Sequence, residues 1–256
     1  SYGYRLIGPE IGDMACGEYG EGKMTEPQNI INNILNYFEN LRKNKKLKAL
    51  VTAGPTQEKI DPVRFISNKS SGKQGYEIAN SLKNNGFETT LISGPTNLKP
   101  ISGINLINVN TAEEMLNKCL DCLPVDIAIF TAAVADYKVK NFYEQKIKKR
   151  ENLNLDLEQN VDILKHISNH NSLRPKLVIG FAAETNNLKK NSIEKLSEKN
   201  CDWIISNDVS NPEIGFNSEN NKVSIFYKNK IEENLPKMSK SAVANEIVNK
   251  IISDFN

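Results

Sequence analysis

Hydrophobic and polar positions follow two rhythms along this chain, and the change near residue 49 sets its organisation. Residues 1–28 are Gly-rich and show no periodicity that would build a core. In "EPQNIINNILNYFENLRK" the apolar residues Ile30, Ile31, Ile34, Leu35, Phe38 and Leu41 recur at helical spacing, which predicts an amphipathic helix. "KNKKLK" reads as a linker after it. "ALVTAG" (49–54) is apolar throughout and ends in Gly, as a strand buried on both faces would. Further strands are predicted at 88–94, 104–109, 126–134, 176–185, 202–208 and 222–227. Helices are predicted at about 72–85, after the capping box formed by Thr111 and Glu114, at 161–170, at 186–200 and over Ser239 to Phe255. Strands alternating with helices predict an α/β fold, Rossmann-like, with a mostly parallel sheet flanked by helices. Ligands of such sheets sit outside the strand carboxyl ends. That rule selects Gly54–Thr56, Gly94–Thr96, Ala132–Asp136, Ala182–Thr185 and Asn207–Ser210.

Composition narrows the function classes. A chain of 256 residues with 25% charged and 7% aromatic residues is ordinary for a globular protein. A net charge of +2 implies no field for nucleic acid or an anionic membrane, so neither is expected as a partner. "LRKNKKLK" (41–48) and "KIKKR" (146–150) are local basic clusters. No run of about 18 apolar residues occurs, and "SYGYRLIGPEIG" lacks the apolar core of a signal peptide. The four cysteines give no disulfide framework, and Cys119-x-x-Cys122 has no second pair to complete a zinc site. A cytoplasmic protein is expected. The opening at Ser1, without Met or core periodicity, reads as the tail of something longer.

Candidate chemistry gathers at the strand ends. "AGPTQEKIDPVRFISNKSSGKQG" is a long strand-to-helix connection, and long loops at carboxyl ends usually carry function. It does not fit the P-loop spacing, and no G-x-G-x-x-G is present. Ser70, Ser71 and Gly72 fall at the helix start, where N–H groups and the macrodipole favour anions, with Arg64, Asn68 and Lys73 nearby. In "TAAVADYKVKNFYEQKIKKR", Asp136 followed by the basic residues of 146–150 suits a nucleoside triphosphate with Mg²⁺. In "GFAAETNNLKKNSIEKLSEKNCD", Phe181 suits base stacking, Glu184 an acid, cap or metal ligand, and Lys195 and Lys199 share a helix face. By itself that lysine face reads as solvated surface. Cys16, in the Gly-rich "MACGEYGEGKMTEP", has no local His to activate it. His166 and His170 lack the H-E-x-x-H pattern, and no G-x-S-x-G occurs.

"VTAGPTQEKIDPVRFISNKSSGKQGYEIA", "AAVADYK", "KIKK", "GFAAET" and "NDVS…IGF", in this order, resemble the phosphopantothenate–cysteine ligase domain, the C-terminal half of bacterial bifunctional coenzyme A biosynthesis proteins. The resemblance runs from about residue 47 to the end. Residues 1–46 look like the end of the partner domain, a flavin-dependent phosphopantothenoylcysteine decarboxylase. There "ACGEYGEGKM" is similar to the substrate-covering flap, with Cys16 as its active-site cysteine.

The resemblance implies a two-step reaction of 4′-phosphopantothenate, CTP and L-cysteine through an acyl-cytidylate, with Mg²⁺ or Mn²⁺, in a homodimer whose site lies near the subunit interface. A higher oligomer and FMN would come only with a full decarboxylase domain, and decarboxylation is not expected of this chain alone. By the same resemblance, Asn68 handles the acyl-cytidylate, Arg64 binds phosphopantothenate, and Ala132 and Ala133 pack on substrate and nucleotide. Ser70, Ser71 and Gly72 form the anion loop. Asp136 and Lys146 meet nucleotide and phosphate, Lys146 as a charge stabiliser and Asp136 as a candidate metal ligand. Asp162, Ile163, Leu164, Phe181, Lys195 and Lys199 contact nucleotide. Val161 stands where relatives usually carry Pro, a change expected to be tolerated, and Pro55 where Gly is common, which speaks against close backbone approach there. Two other classes compete. A nicotinamide- or flavin-linked oxidoreductase lacks its glycine fingerprint, and a non-catalytic nucleotide-binding module would leave Asn68 and Lys146 dispensable.

Overall fold

The computed structural model describes residues 6–13, 17–44, 46–149, 153–208, 218–229 and 232–255. It divides into two compact units, Ser1–Lys46 and Leu47–Asn256. In the first, β1 (Glu10–Asp13) pairs antiparallel with β2 (Tyr19–Lys23), and α1 (Pro27–Asn44) follows where a helix is expected. The ribbon falls where the sequence reads as irregular. Its strands are short, with glycines and no apolar face, so no periodicity marks it.

The second unit runs β3 (Lys48–Ala53), β4 (Gln57–Lys59), β5 (Phe65–Ser67), α2 (Lys73–Asn84), β6 (Glu88–Ser93), β7 (Asn105–Asn108), α3 (Ala112–Asp121) and β8 (Ile127–Phe130). It continues through β9 (Tyr137–Val139), β10 (Leu157–Gln159), α4 (Ile163–Ser168), β11 (Leu177–Glu184), α5 (Leu188–Lys199) and β12 (Trp203–Asp208). β13 (Asn220–Asn221), β14 (Val223–Tyr227), β15 (Glu232–Asn234), β16 (Met238–Ser239) and α6 (Lys240–Phe255) complete it. An eight-stranded sheet has the order β15-β14-β12-β11-β8-β3-β6-β7. The strands from β12 to β7 are mutually parallel, and β14 and β15 add an antiparallel edge. The expected fold class is therefore the observed one.

Alternation within the strands builds two cores. Val51, Ile129, Ile179 and Ile205 face one side, where Ile78 and Leu82 of α2 and Val243, Ile247 and Ile251 of α6 cover them. Their chain neighbours Leu50, Ala128, Val178 and Ile204 face the other side, under Met115 of α3, Ile163 and Ile167 of α4, and Leu196 of α5. Truncating any such buried Leu or Ile to Ala costs about 2–5 kcal/mol. Two helix starts follow their capping residues. Thr111 Oγ1 accepts from the Glu114 N–H at 3.2 Å, and Asp162 Oδ1 from the Lys165 N–H at 2.8 Å. Glu114 returns a bond to the Asn110 N–H at 2.7 Å, one residue before the usual capping-box partner.

Several boundaries differ from expectation. The strand predicted to reach residue 134 ends at Phe130; past that point the chain still runs along the end of β3, with the Thr131 N–H on the Thr52 carbonyl at 3.2 Å, the Ala133 N–H on the Gly54 carbonyl at 2.9 Å and the bridge Pro55–Ala133. The helix predicted over 161–170 spans Ile163–Ser168 and stops at Asn169. The long connection after β3 is no bare loop: it holds the hairpin β4–β5. Ribbon β9–β10, the pair β13–β16 and edge strand β15 were too short to show a period. Burial pushes the Cys119 thiol well above its usual range and raises Cys201 to about 12, so both are inert packing groups.

Candidate active site

The chain passes from β3 to β6 and β7 on one side and returns to β8 on the other, so the sheet switches direction between β3 and β8. Connections leaving those strands part there and open a crevice. A cleft of about 680 Å³ occupies this place. Its walls are the segment 68–75, the connection 131–136, the segment 159–164, the end of β11, the Lys195–Lys199 face of α5 and the first residue of α6.

At the start of α2, Gly72 adopts φ 75, a left-handed conformation that suits Gly, and no side chain caps the helix. The Gly72 N–H donates to Ser70 Oγ at 3.2 Å. The first-turn residues Lys73, Gln74 and Gly75 line the cleft, which gives an anion uncapped N–H groups and the positive helix end. Ser70 and Ser71 line it beside them.

The connection after β8 is held from three directions. Asn68 Nδ2 donates to the Val134 carbonyl at 2.8 Å. Thr56 takes the Ala135 N–H on its hydroxyl at 3.0 Å. Asn160 Nδ2 donates to the Ala135 carbonyl at 2.8 Å. Ala132 and Ala133 are thereby set as small wall residues, with exposed Asp136 at the rim.

Cations outnumber anions on the walls: Lys69, Lys73, Lys195, Lys199 and Lys240 stand against Asp136 and Asp162. Lys195 pairs with Glu184 at 2.6 Å, and Lys199 pairs with Asp162, which also caps α4. Lys73 pairs with Glu219 and lowers that carboxyl below its usual range. Lys240 is buried; burial, then the charge of Lys73, lowers its pKa, and Glu219 opposes the shift. Such a lining suits a polyanion.

Of the residues singled out by sequence, Asn68, Ser70, Ser71, Gly72, Ala132, Ala133, Asp136, Asp162, Ile163, Leu164, Phe181, Lys195 and Lys199 line this single cleft. Arg64 and Lys146 do not; Arg64 instead bonds the carbonyl of Ile147, the residue after Lys146, at 3.2 Å. Cys16 lies outside the described residues. Sequence reasoning passed over Lys240, Asn160 and Asn221, which carry no motif, and noted Lys73 only as a neighbour. Pro55 does make a close approach. Its carbonyl oxygen would lie 1.7 Å from a Cβ at Gly94, so the glycine needed at this junction is on the opposite strand end. Among the described residues no group of three or more His, Cys, Asp or Glu forms a metal-binding set, and no helix is long and apolar enough to cross a membrane.

A family model, DNA/pantothenate metabolism flavoprotein C-terminal domain, matches residues 44–255. The coenzyme A biosynthesis bifunctional protein CoaBC of Haemophilus influenzae is 42% identical over 255 residues, 99% of this chain and 63% of that protein. The chain thus spans less than two thirds of that relative's length. The solved structure of the C-terminal domain of a CoaBC is 41% identical, with a TM-score of 0.67, and covers 80% of this chain and 93% of that one. A Cab2 mutant solved in complex with phosphopantothenate-cysteine is 16% identical, covers 90% of this chain and 94% of that one, and shares the fold at a TM-score of 0.65.

Proposed function

The chain belongs to the DNA/pantothenate metabolism flavoprotein C-terminal domain family, and from that premise we propose that residues 47–256 are a phosphopantothenate–cysteine ligase domain of coenzyme A biosynthesis. The carboxylate of 4′-phosphopantothenate attacks the α-phosphorus of CTP, the bond to the β-phosphate breaks, and acyl-cytidylate and pyrophosphate form. The amine of L-cysteine then attacks the acyl carbon, CMP leaves, and the amine proton passes to solvent. A free carboxylate is a poor acyl donor and its mixed anhydride a good one. The domain's work is to hold two anions together and to stabilise charge at phosphorus and then at the acyl oxygen.

One observation carries this reading. The anion loop of α2, the Ala132–Asp136 connection and the lysine face of α5 are distant in sequence yet line one cleft, and Asn68 ties the first two together. Ser70, Ser71, Gly72, Lys195 and Lys199 take the triphosphate, and Phe181 with Asp162, Ile163 and Leu164 takes the nucleoside. Asn68 serves the acyl-cytidylate between the walls formed by Ala132 and Ala133. Arg64 meets phosphopantothenate, and Lys146 offsets charge on the leaving pyrophosphate. Asp136 is a single exposed carboxylate at the rim. That fits a Mg²⁺ or Mn²⁺ shared with substrate phosphates and water, which would neutralise phosphate charge. The Cab2 mutant's ligand is the product of this reaction, which adds support. Residues 1–46 fit the end of a decarboxylase domain, to which FMN and Cys16 would belong, and a cytoplasmic location goes with these substrates.

Pyrophosphate release from CTP on adding phosphopantothenate, with and without cysteine, tests the reading; no CTP-dependent release under either condition would sink it. In Asn68→Asp the amide donor facing the Val134 carbonyl becomes an acceptor. The cysteine step should then slow more than pyrophosphate release, roughly tenfold or more. Equal losses in both steps would contradict the role given to Asn68.

A further inference from the structure

The segment after β9 is exposed from Lys140 to Lys146, and then Ile147 turns inward. Ile147 is buried in a small apolar cluster with Ile60 and Val139. Its N–H donates to Asp61 Oδ2 at 3.1 Å, and its carbonyl accepts from Arg64 Nη1 at 3.2 Å. Arg64 Nη1 also donates to Asp61 Oδ2 at 2.7 Å, so one carboxylate and one guanidinium nitrogen grip both polar groups of one peptide residue. The grip is itself fixed. Asp61 opens the hairpin turn Asp61-Pro62-Val63-Arg64, and its Oδ1 accepts the N–H groups of Val63 and Arg64 at 2.8 Å each. Asp61 is 1% exposed and does not line the cleft. Tyr143 adds one further tie, from its N–H to the Ile60 carbonyl at 3.0 Å.

Nothing in the cleft requires a buried carboxylate at this turn, and a hairpin closes without gripping a loop 86 residues away. What the grip fixes is the backbone next to Lys146. We propose that Asp61 and Arg64 are positioning residues for Lys146: by locking Ile147 they give the lysine a rigid base from which its long side chain reaches the polyphosphate of the bound nucleotide. The inference rests on the proposed role of Lys146. Pre-set geometry matters here, because an ammonium that must find its place in each turnover loses much of its value to the transition state. Arg64 can still meet substrate, since its guanidinium carries five N–H donors and the clamp uses those of Nη1.

A double-mutant cycle on the full chain tests this, with pyrophosphate release measured at saturating CTP and phosphopantothenate. Asp61→Asn keeps the volume but replaces an acceptor with an amide. It should lower kcat roughly tenfold or more with Lys146 present, and less than about twofold in the Lys146→Ala background. A merely structural loss would multiply equally in both backgrounds and overturn the inference. If Lys146→Ala itself keeps full activity, the reading of Lys146 fails first, which is a distinct result. Hydrogen exchange at the Ile147 amide, followed in Asp61→Asn and in Arg64→Gln, gives a readout independent of catalysis. Exchange should rise at least about tenfold. Unchanged protection in both variants would overturn the clamp even if Asp61→Asn proves too unstable to assay.

Discussion

Asp61 also sets an expectation for acid stability. Burial raises its carboxyl pKa, but the N–H groups of Val63, Ile147 and Arg64, with the Arg64 charge, outweigh that and hold it below the usual value. A carboxyl whose pKa is lower folded than unfolded adds stability above its unfolded value near 3.9, and loses it as pH falls through the folded one. Urea unfolding between pH 3 and 7 should therefore show a flatter acid limb for Asp61→Asn than for the parent, and lower stability near neutrality. Parallel limbs would mean the carboxyl is not held down by these partners. At this scale the sequence was legible where a local signal stood, as at the helix start after Ser70–Gly72 and at the Thr111 cap, and silent where a contact comes from packing. Asp61 sits inside the long connection after β3, and nothing in that stretch says that it grips Ile147, because the partner is set by the tertiary fold. Lys240 is silent for the same reason: a lysine opening an amphipathic helix looks like surface until the sheet places it against Lys73.

Among elements, the decisive contacts are between strand ends. Gly94, the residue after β6, lies so close to the Pro55 carbonyl that a Cβ would be 1.7 Å from that oxygen. Both partners are backbone, so no rotamer change relieves the clash. Gly94→Ala should cost about 1–3 kcal/mol or more, read as a lower midpoint in chemical unfolding. A shift under about 1 kcal/mol would show that the junction yields. Apolar runs and caps exposed the long elements from sequence alone, because a strand buried on both faces and a capped amphipathic helix each write a period. The ribbons β4–β5 and β9–β10 wrote none. Their strands have three residues each, and their few inward side chains, such as Val139, pack on each other beside the main cores.

For the whole molecule, those two ribbons carry an unusual surface. Val63, Phe65, Tyr137, Phe142, Tyr143 and Leu157 are all exposed on or next to them. Exposed apolar side chains of this size suit an interaction surface, such as that of the homodimer the resemblance leads one to expect. Phe65→Glu with Phe142→Glu should shift the mass seen by light scattering from dimer to monomer and lower ligation in step; a monomeric parent protein would end that proposal. Lys240, finally, joins the cleft from the first turn of the last helix, and α6 then covers α2 through Val243, Ile247 and Ile251. The part of the wall that Lys240 supplies therefore forms only once α6 has folded onto α2. A chain cut before residue 240 loses both that lysine and the cover that α6 gives α2.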